Sequence, residues 1–529
     1  MTARDAASRV RLCAALAWTA ACAPANDTVF LTLGFEPSEP LEVPEGAGVV
    51  ELPVRLSGSS DRAVIAEYRL VASEARNGCA TPDFELAEGR VEFPSGETET
   101  TIDIWIGDDD LAETDERLEL EVRLLEAAPV PASTRLGVVI LDDDRTALID
   151  ARDFGALPNS ANDQTAELQA AFAAAAASGR GVVLVAPGDY EVSEVSVTPG
   201  TTLSARGVRF HRPPQSPEDA ITLRVEHSGT DDSDPTLVEG IELDGRREQQ
   251  GPFREREREE AHLISLSGDA EQGGRIRAHV ERVSLESGTG SGLWIGPDSD
   301  VAVCELSANS LWRDAVTAAG GATSLRLEDV NATATEGTGL WIGARTPGYS
   351  GSLAQATEIE NAHVGAGDVE LETNIGSRLT VNGLTMTNPP FRLDAIDGTV
   401  TIADSVLMIG LASATHNFFG RAHDVQIADS TLVLWESANG GATEESERTL
   451  AAVTLSAESL AVGPVSTEPG RLVFERCSFE LSSNVEAEDR AYGVESSLEG
   501  LAVEIRSSTL ASGFVDWFEP GCVGCTISP

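Results

Sequence analysis

Acidic residues gather at four places in the first third of the chain, at the ends of segments in which apolar and polar residues alternate. Clustered carboxylates repel one another strongly unless a cation neutralises them, and hard oxygen ligands favour Ca²⁺. The pattern therefore predicts a calcium site. Its candidate ligands are Glu45, Asp83, Asp108, Asp109, Glu113, Glu116, Asp142, Asp143 and Asp144.

A second chemical signal is the pentapeptide Gly-Leu-Trp-Ile-Gly, which occurs at residues 292–296 and again at 339–343. If both copies are strands, alternation points Leu293 and Ile295 inward and the indole between them outward. Outward indoles on one face could stack on the sugar rings of an extended polysaccharide. The predicted column on this face contains Ser265, Trp294, Thr317, Trp341, Glu370 and Arg392. The predicted carbohydrate-binding residues are Trp294, Trp341, Thr317 and Glu370.

The elements that must position these residues come from a six-residue phrase that returns through the last two thirds of the chain. Its clearest copies are IADSVL at 402–407, IADSTL at 427–432, FERCSF at 474–479 and IRSSTL at 505–510. Looser copies begin at Val280, Val303, Leu327, Ile359 and Val381. Each copy reads as a strand, a tight bend and a second strand, and strands that recur at a step of roughly 20–50 residues indicate a β-solenoid. The step from Ile427 to Phe474 is about twice the usual one, which predicts a hidden copy between them.

Composition excludes one class of partner. The chain of 529 residues has a formal net charge of −50, contains no Lys, and carries 37 basic residues that are therefore all Arg. Binding to a phosphate backbone needs the opposite sign, so nucleic acid is a poor partner. An acidic surface of this kind fits either a salty exterior or a protein that holds divalent cations.

Residues 27–145 resemble the Calx-β domain family. The resemblance rests on the EG turn at Glu45, the Asp83-Phe84 pair, the DD-x₃-E-x₂-E run that ends at Glu116, and the closing Asp triplet at 142–144. It implies an immunoglobulin-like β-sandwich in which the nine acids form one edge site that holds Ca²⁺. The alternative is a Calx-β fold that is stable without metal.

Residues 147–529 resemble a pectate-lyase-like right-handed parallel β-helix with an N-terminal capping helix. The resemblance rests on the Asp-Phe-Gly-Ala segment at 153–156, an Ala-rich helix capped by Asp163 and ended by Gly179, and the Pro-Gly-Asp-Tyr turn at 187–190. It implies an all-β chain of two domains. The activity stays open, because this fold carries lyases, hydrolases, epimerases and non-catalytic adhesins.

Candidate catalytic residues lie just before strands of the predicted sugar-binding face. Asp314 and Glu336 could supply the two carboxyl groups of a glycosidase. Lyases of this fold often use Lys or Arg as a base, and without Lys the candidates are Arg313 and Arg392. The alternative is that the indoles pack beneath loops, that Glu370 merely pairs with Arg392, and that the solenoid is a non-catalytic adhesin or structural stalk.

Residues 1–22 are predicted to be an export signal. Arginines precede a short apolar run from Leu12 to Trp18, which is too short to span a bilayer. The run leads to Thr19-Ala20-Ala21-Cys22, which resembles the bacterial lipoprotein signal and implies lipidation of Cys22 with anchoring to a membrane. Ordinary cleavage after a small residue is the alternative. Either way, we expect an exported protein, at the cell surface, in the outer membrane or secreted.

Overall fold

The computed structural model consists mainly of β-strands. The residues that the structure describes are 32–35, 39–75, 82–125, 133–217, 220–250, 261–268, 274–296, 298–319, 324–335, 337–343, 356–373, 377–387, 391–395, 398–410, 418–419, 424–435, 449–456, 471–481, 491–496, 502–510 and 526–527. Two predicted site residues, Cys22 and Glu336, lie outside these ranges, as does the predicted export signal. No helix in the described ranges has the length and hydropathy needed to cross a membrane.

The N-terminal part is a sandwich of two sheets. Four strands form one sheet: Leu33–Phe35, Gly48–Leu56, Glu99–Ile106 and Phe84–Glu85. Five strands form the other: Leu41–Pro44, Ser133–Leu141, Glu116–Leu124, Val64–Ser73 and Gly89–Phe93. Alternate residues of each strand point inward, so Leu52, Ile104 and Leu120 are buried between the sheets. The predicted sandwich is confirmed.

The described residues from Ala147 onward form a right-handed parallel β-helix, as the sequence predicted. Its first parallel sheet contains Ala147–Asp150, Ser160–Asp163, Gly181–Leu184, Gly188–Glu191, Thr202–His211, Thr236–Asp244, Ile276–Glu286, Ser299–Leu311, Ser324–Thr335, Ala356–Glu360, His363–Val364, Arg378–Asn382, Thr385–Met386, Thr399–Ala403, Val406–Gly410, Asp424–Ala428, Thr431–Trp435, Arg471–Glu475, Ser478–Leu481, Ala502–Arg506, Thr509–Leu510 and Thr526–Ile527. The second parallel sheet contains Val195–Ser196, Leu223–Glu226, Ile264–Ser267, Leu293–Ile295, Val316–Ala319, Leu340–Gly343, Val369–Thr373, Phe391–Ala395, Phe418–Phe419, Thr449–Ser456 and Ala491–Ser496.

The recurring phrase is the bend within the first parallel sheet. Its first residues pair coil to coil in one column that runs Val280, Val303, Leu327, Ile359, Val381, Ile402, Ile427, Phe474 and Ile505. All of these residues are buried, which confirms the predicted stacking. The third residue of every copy has a positive φ, between 48° and 73°. That conformation turns the chain sharply, and for a residue other than Gly it costs about 1–2 kcal/mol.

The predicted hidden copy between Ile427 and Phe474 is wrong, because these two residues pair directly. The extra length belongs to one coil. Its strand Thr449–Ser456 lies in the second parallel sheet and pairs with Phe418–Phe419 before it and Ala491–Ser496 after it. A long connection and a doubled repeat have the same sequence spacing, so spacing alone could not separate them.

An α-helix, Thr165–Ala177, covers the N-terminal end of the β-helix with buried Leu168 and Phe172. The N-cap of this helix is Gln164 and not the predicted Asp163, which lies one residue earlier and accepts a hydrogen bond from the backbone N–H of Thr165 at 2.9 Å. Gly179 adopts the left-handed conformation after the helix. Two short 3₁₀ helices, Ala151–Phe154 and Arg247–Gln249, complete the helical elements of the described residues.

Candidate functional site

The predicted metal ligands lie in the loops and strand ends at one end of the N-terminal sandwich. Asp83, Glu113 and Glu116 are all buried, and each offers a carboxylate oxygen within 4.8 Å of the others. A second group of the same kind contains Glu45, Asp143 and Asp144. We call the set of nine predicted ligands the acidic edge.

Backbone contacts join the two groups and the remaining ligands. Asp142 accepts a hydrogen bond from the backbone of Glu113 at 3.1 Å, and Glu45 accepts one from the backbone of Asp109 at 3.2 Å. Asp108 lies so close to Gly46 that a side chain there would meet it at 3.0 Å. The Gly of the EG turn therefore lets two acidic loops approach each other.

The charges of the acidic edge are poorly balanced within the sandwich. Burial and the charge of Asp109 raise the pKa of Glu45 to about 8, and burial raises the pKa of Asp142. Arg145 is 3.5 Å from Asp142 but makes its shorter ion pair, 2.7 Å, with Asp115. A site of this chemistry, with several buried carboxylate oxygens and a raised pKa, suits a hard divalent cation.

The second parallel sheet carries the predicted aromatic column. Its strands pair in register, so the residues of the column follow one another from coil to coil as Ser265, Trp294, Thr317, Trp341, Glu370 and Arg392. Ser265 and the predicted sugar-binding residue Thr317 are each only 2% exposed, so these two side chains lie beneath the surface. The inward neighbours Leu293 and Ile295 are fully buried, as predicted. The column is confirmed, and its role in binding sugar stays a prediction.

The two indoles have different surroundings, and both residues are half-buried. Trp294 stacks on His262 with ring centroids 5.4 Å apart and planes 5° apart, so one face of this indole is covered. Burial and nearby arginines lower the pKa of His262 to about 3, so the imidazole is neutral. In Trp341 the buried indole N–H has no hydrogen-bond partner among the described residues.

Ionisable residues surround this column. Asp314 is 5% exposed, its carboxylate accepts hydrogen bonds from Thr317 Oγ1 at 2.9 Å and from the backbone of Thr338 at 3.0 Å, and burial raises its pKa. Arg392 pairs with Glu370 at 2.6 Å, which is the predicted alternative for Glu370. Arg313 makes no ion pair within the described ranges.

Asp368 is a functional candidate that the sequence analysis missed. Burial raises its pKa to about 6, against the attraction of Arg392, and Glu370 and Asp314 raise it further. Asp368 directly precedes the strand Val369–Thr373, two coils after Asp314, where the chain reads Gly-Asp-Val-Glu. The signal that could have found it is the alignment of that strand with the strands of the two indoles.

Residues 27–144 match the Calx-beta domain family. This segment is a Calx-β domain. The apo form of the Calx CBD1 domain is 32% identical over 22% of this chain and 99% of that domain, with a TM-score of 0.18. The A-module of a mannuronan C-5 epimerase from Azotobacter vinelandii is 14% identical over 72% of this chain and 95% of that module, with a TM-score of 0.38.

A family 28 exopolygalacturonase from Yersinia enterocolitica is 10% identical over 92% of this chain and 96% of that enzyme, with a TM-score of 0.24. Among curated proteins, none matches the chain.

A cavity of about 340 Å³ lies elsewhere, on the outer face of the first parallel sheet beside the Calx-β domain. Its arginines already face carboxylates, because Arg277 is 2.9 Å from Asp110 and Arg326 is 3.2 Å from Glu328. This cavity contains none of the predicted sugar-binding residues. The aromatic column, by contrast, combines two indoles with Arg313, which has no ion-pair partner in the described ranges.

Proposed function

We propose that the β-helix binds an acidic polysaccharide along the aromatic column, and that the Calx-β domain binds Ca²⁺. The observation that carries the first part is the placement of Trp294 and Trp341 in one column of an in-register sheet. They are two coils apart, about 9.6 Å along the coil axis. An extended sugar chain that runs along this axis would pass over both indoles.

The charges beside the column support an acidic ligand. Arg313 lies next to Asp314 and His262 and offers a guanidinium that suits a sugar carboxylate. Asp368 keeps its proton to about pH 6, which reduces its repulsion of an anionic ligand below that pH. A group with this pKa could also act as a general acid, and we assign Asp368, together with Asp314, to that role if the protein is an enzyme.

The test compares polyuronic acids with neutral glucans in calorimetric titrations of the full chain. We expect binding of the polyuronic acid and weaker or no binding of the glucan. Loss of binding in Trp294→Ala and Trp341→Ala, but not in Trp105→Ala, would assign the contact to the column. Trp105 is a matched control because it is an exposed indole of the Calx-β domain. Equal binding by all variants would refute the proposal.

A non-catalytic surface scaffold is the second candidate function. Two observations favour it: His262 covers one face of Trp294, and Glu370 is engaged by Arg392. Release of reducing ends or of unsaturated uronates, followed with and without Ca²⁺, separates the two. Binding without any product would favour the scaffold, whereas product that disappears in Asp368→Asn would favour the enzyme.

The calcium proposal rests on the carboxylates Asp83, Glu113 and Glu116, which are buried and lie close together. We expect Ca²⁺ to bind more tightly than Mg²⁺, because a flexible set of carboxylates suits the larger ion and Mg²⁺ retains its waters. Calorimetry with both ions tests this. A chain that takes up neither ion, or that prefers Mg²⁺, would contradict it.

We also propose export, with Cys22 as the lipid attachment site. Cys304 is disulfide-bonded, which supports an oxidising compartment. Mass spectrometry of the mature protein from a host with the lipoprotein pathway should detect a diacylated Cys22. A mature chain that begins at Cys22 or beyond without lipid would support ordinary cleavage instead.

A further inference from the structure

One arginine of the β-helix reaches into the acidic edge of the Calx-β domain. Arg206 lies on the strand Thr202–His211, directly before the bend at Gly207. Its Nη2 is 2.7 Å from Oε1 of Glu116 and 3.2 Å from the carbonyl oxygen of Glu74, both in the Calx-β domain. Glu116 belongs to the buried carboxylate group at the proposed cation site. The junction between the domains and the cation site therefore share a side chain.

The position of Arg206 is held by a buried carboxylate of the β-helix. Glu239, which is 3% exposed, lies 3.1 Å from Arg206 Nη2 and 2.6 Å from Arg282 Nη2. It also accepts a hydrogen bond from Ser204 Oγ at 2.6 Å. Burial raises the pKa of Glu239, but the two arginines and Ser204 lower it to a net value below the usual one. The carboxylate is therefore ionised and fixes Arg206.

The neighbouring coil leaves room for this arrangement. A Cβ atom at Gly240 would lie 2.8 Å from Cγ of Arg206, so a larger residue would displace the arginine. Arg282 also faces Glu116, at 3.9 Å. A further arginine of the β-helix, Arg277, pairs with Asp110 at 2.9 Å, so the cationic contacts extend along the loop of the acidic edge.

We propose that Arg206 is a positioning residue for the cation site, so that Ca²⁺ binding by the Calx-β domain is coupled to its docking on the β-helix. The inference rests on the proposed calcium binding. Arg206 donates to Oε1 of Glu116 and so fixes the orientation of this carboxylate beside Asp83 and Glu113. A ligand that is already fixed loses less rotamer freedom when the cation binds, and partners that orient metal ligands in this way contribute about 10- to 100-fold in affinity.

The charge of Arg206 opposes this effect, since two cations repel each other. Glu239 reduces the repulsion, because it forms a buried pair with Arg206 and Arg282 and so offsets one of their charges. The proposal requires the orienting contribution of Arg206 to exceed the remaining repulsion, and the sign of the change in Ca²⁺ affinity tests this. Loss of Arg206 should weaken Ca²⁺ binding, although it removes a positive charge from a strongly acidic chain.

The experiment measures the Ca²⁺ dissociation constant of the full chain by calorimetry for the wild type, Arg206→Gln and Arg209→Gln. Arg209 is a matched control: it lies on the same strand and pairs with Glu242, away from the acidic edge. We expect about a tenfold weaker constant for Arg206→Gln. Arg209→Gln should bind like the wild type or slightly more tightly. The conservative Arg206→Lys should recover part of the loss, because Lys keeps the charge but not the planar fork.

A second variant and a second readout guard against misfolding. Arg282→Gln should weaken Ca²⁺ binding less than Arg206→Gln does, because Arg282 is 3.9 Å from Glu116 and acts mainly through Glu239. Hydrogen exchange of the strand Thr202–His211 should slow on addition of Ca²⁺ in the wild type and stay unchanged in Arg206→Gln. Equal constants for Arg206→Gln and Arg209→Gln would overturn the inference alone. A wild-type chain that binds no Ca²⁺ would overturn the calcium proposal and this inference together.

Discussion

The acidic edge and the aromatic column differ in how their charges are balanced. At the acidic edge, buried carboxylates from four loops outnumber the single arginine, Arg145, that the sandwich itself brings near them. On the second parallel sheet, charged residues are mostly matched by neighbours: Arg392 pairs with Glu370 at 2.6 Å, and Arg224 pairs with Glu194 at 2.9 Å. The sandwich alone leaves the first region short of positive charge, and arginines of the β-helix such as Arg180 and Arg206 supply part of it. The second presents rings and one arginine, Arg313, without an ion-pair partner in the described ranges.

The two regions are also built differently. Loops at strand ends bring the carboxylates together from residues as far apart in sequence as Glu45 and Asp144. The column, by contrast, follows from strand register, so each residue has a fixed partner one coil away. Binding at the acidic edge should therefore depend on a few ligands acting together, whereas binding at the column should depend on separate, smaller contributions. The following predictions test that contrast.

The largest effect is expected from Asp83→Asn, which removes one buried carboxylate from the acidic edge. Ca²⁺ affinity should fall by at least about 100-fold, since an outer-shell partner alone contributes about 10- to 100-fold. The rise in melting temperature that Ca²⁺ produces in the wild type should disappear. Asp103→Asn is the control, because Asp103 is exposed on the strand Glu99–Ile106. A Ca²⁺-dependent rise in melting temperature that survives in Asp83→Asn would contradict cooperation among the ligands.

A smaller effect is expected from Trp341→Ala in the column. Affinity for a polyuronic acid should fall about tenfold, which is the usual loss when a buried aromatic anchor is truncated. Calorimetric titration gives the constant, and Trp105→Ala supplies the comparison. If Trp341→Ala lowered the affinity for polyuronic acid as much as Asp83→Asn lowers the affinity for Ca²⁺, the column would also act as one cooperative site.

The third prediction concerns pH. The pKa of Asp368 is raised to about 6, so its carboxylate gains charge as the pH rises from about 5 to about 7 and then repels an anionic ligand. Affinity for a polyuronic acid should decrease several-fold over this range in the wild type. In Asp368→Asn the decrease should be absent. An affinity that stays constant, or that rises with pH in the wild type, would show that Asp368 does not face the ligand.

The same raised pKa affects folding stability. Between the ordinary pKa of an Asp carboxyl group and about pH 6, the folded state binds more protons than the unfolded state. Asp368 should therefore make the protein less stable as the pH rises through that window. Urea unfolding of the wild type and Asp368→Asn at several pH values measures the difference in slope. Identical slopes would contradict the assignment.

The smallest effect is expected from Glu370→Gln. This change releases Arg392 from a partly exposed ion pair, and such pairs contribute little energy. Affinity for a polyuronic acid should rise about threefold, because Arg392 becomes available to a sugar carboxylate. Glu242→Gln, on the other parallel sheet, removes the same charge away from the column and serves as the control. A loss of affinity in Glu370→Gln would make Glu370 a direct ligand of the sugar.

The sequence predicted the parts of the fold that follow from local pattern. The copies of the phrase that begin at Val280, Val303 and Leu327 form one column. A single coil cannot bury its apolar residues, and stacking on the next coil does so. The aromatic column was predicted from the alternation of inward and outward residues along each strand. The acids of the Calx-β domain could be predicted because their order along the chain carries the family resemblance.

What the sequence did not predict depends on contacts between distant residues. Asp368 and His262 gain their perturbed pKa values from burial, which depends on neighbouring coils. The sequence alone does not distinguish Arg206 and Glu239 from the many other charged residues of this chain. Their role depends on the domain junction, where Arg206 contacts both Glu116 and Glu239. The prediction of a hidden copy was wrong for another reason: the spacing in sequence does not show which sheet contains the extra residues.

Ile427 pairs directly with Phe474 although the two residues are far apart in sequence. One coil can therefore be much longer than its neighbours and still pair with the next coil. Each coil stacks on its neighbours through the strands at the bend, so the connections outside the bend are not needed for stacking. Surface loops on such a scaffold can be lengthened, shortened or exchanged one at a time. A laboratory could therefore graft new recognition segments between these two strands while the rungs above and below keep their places.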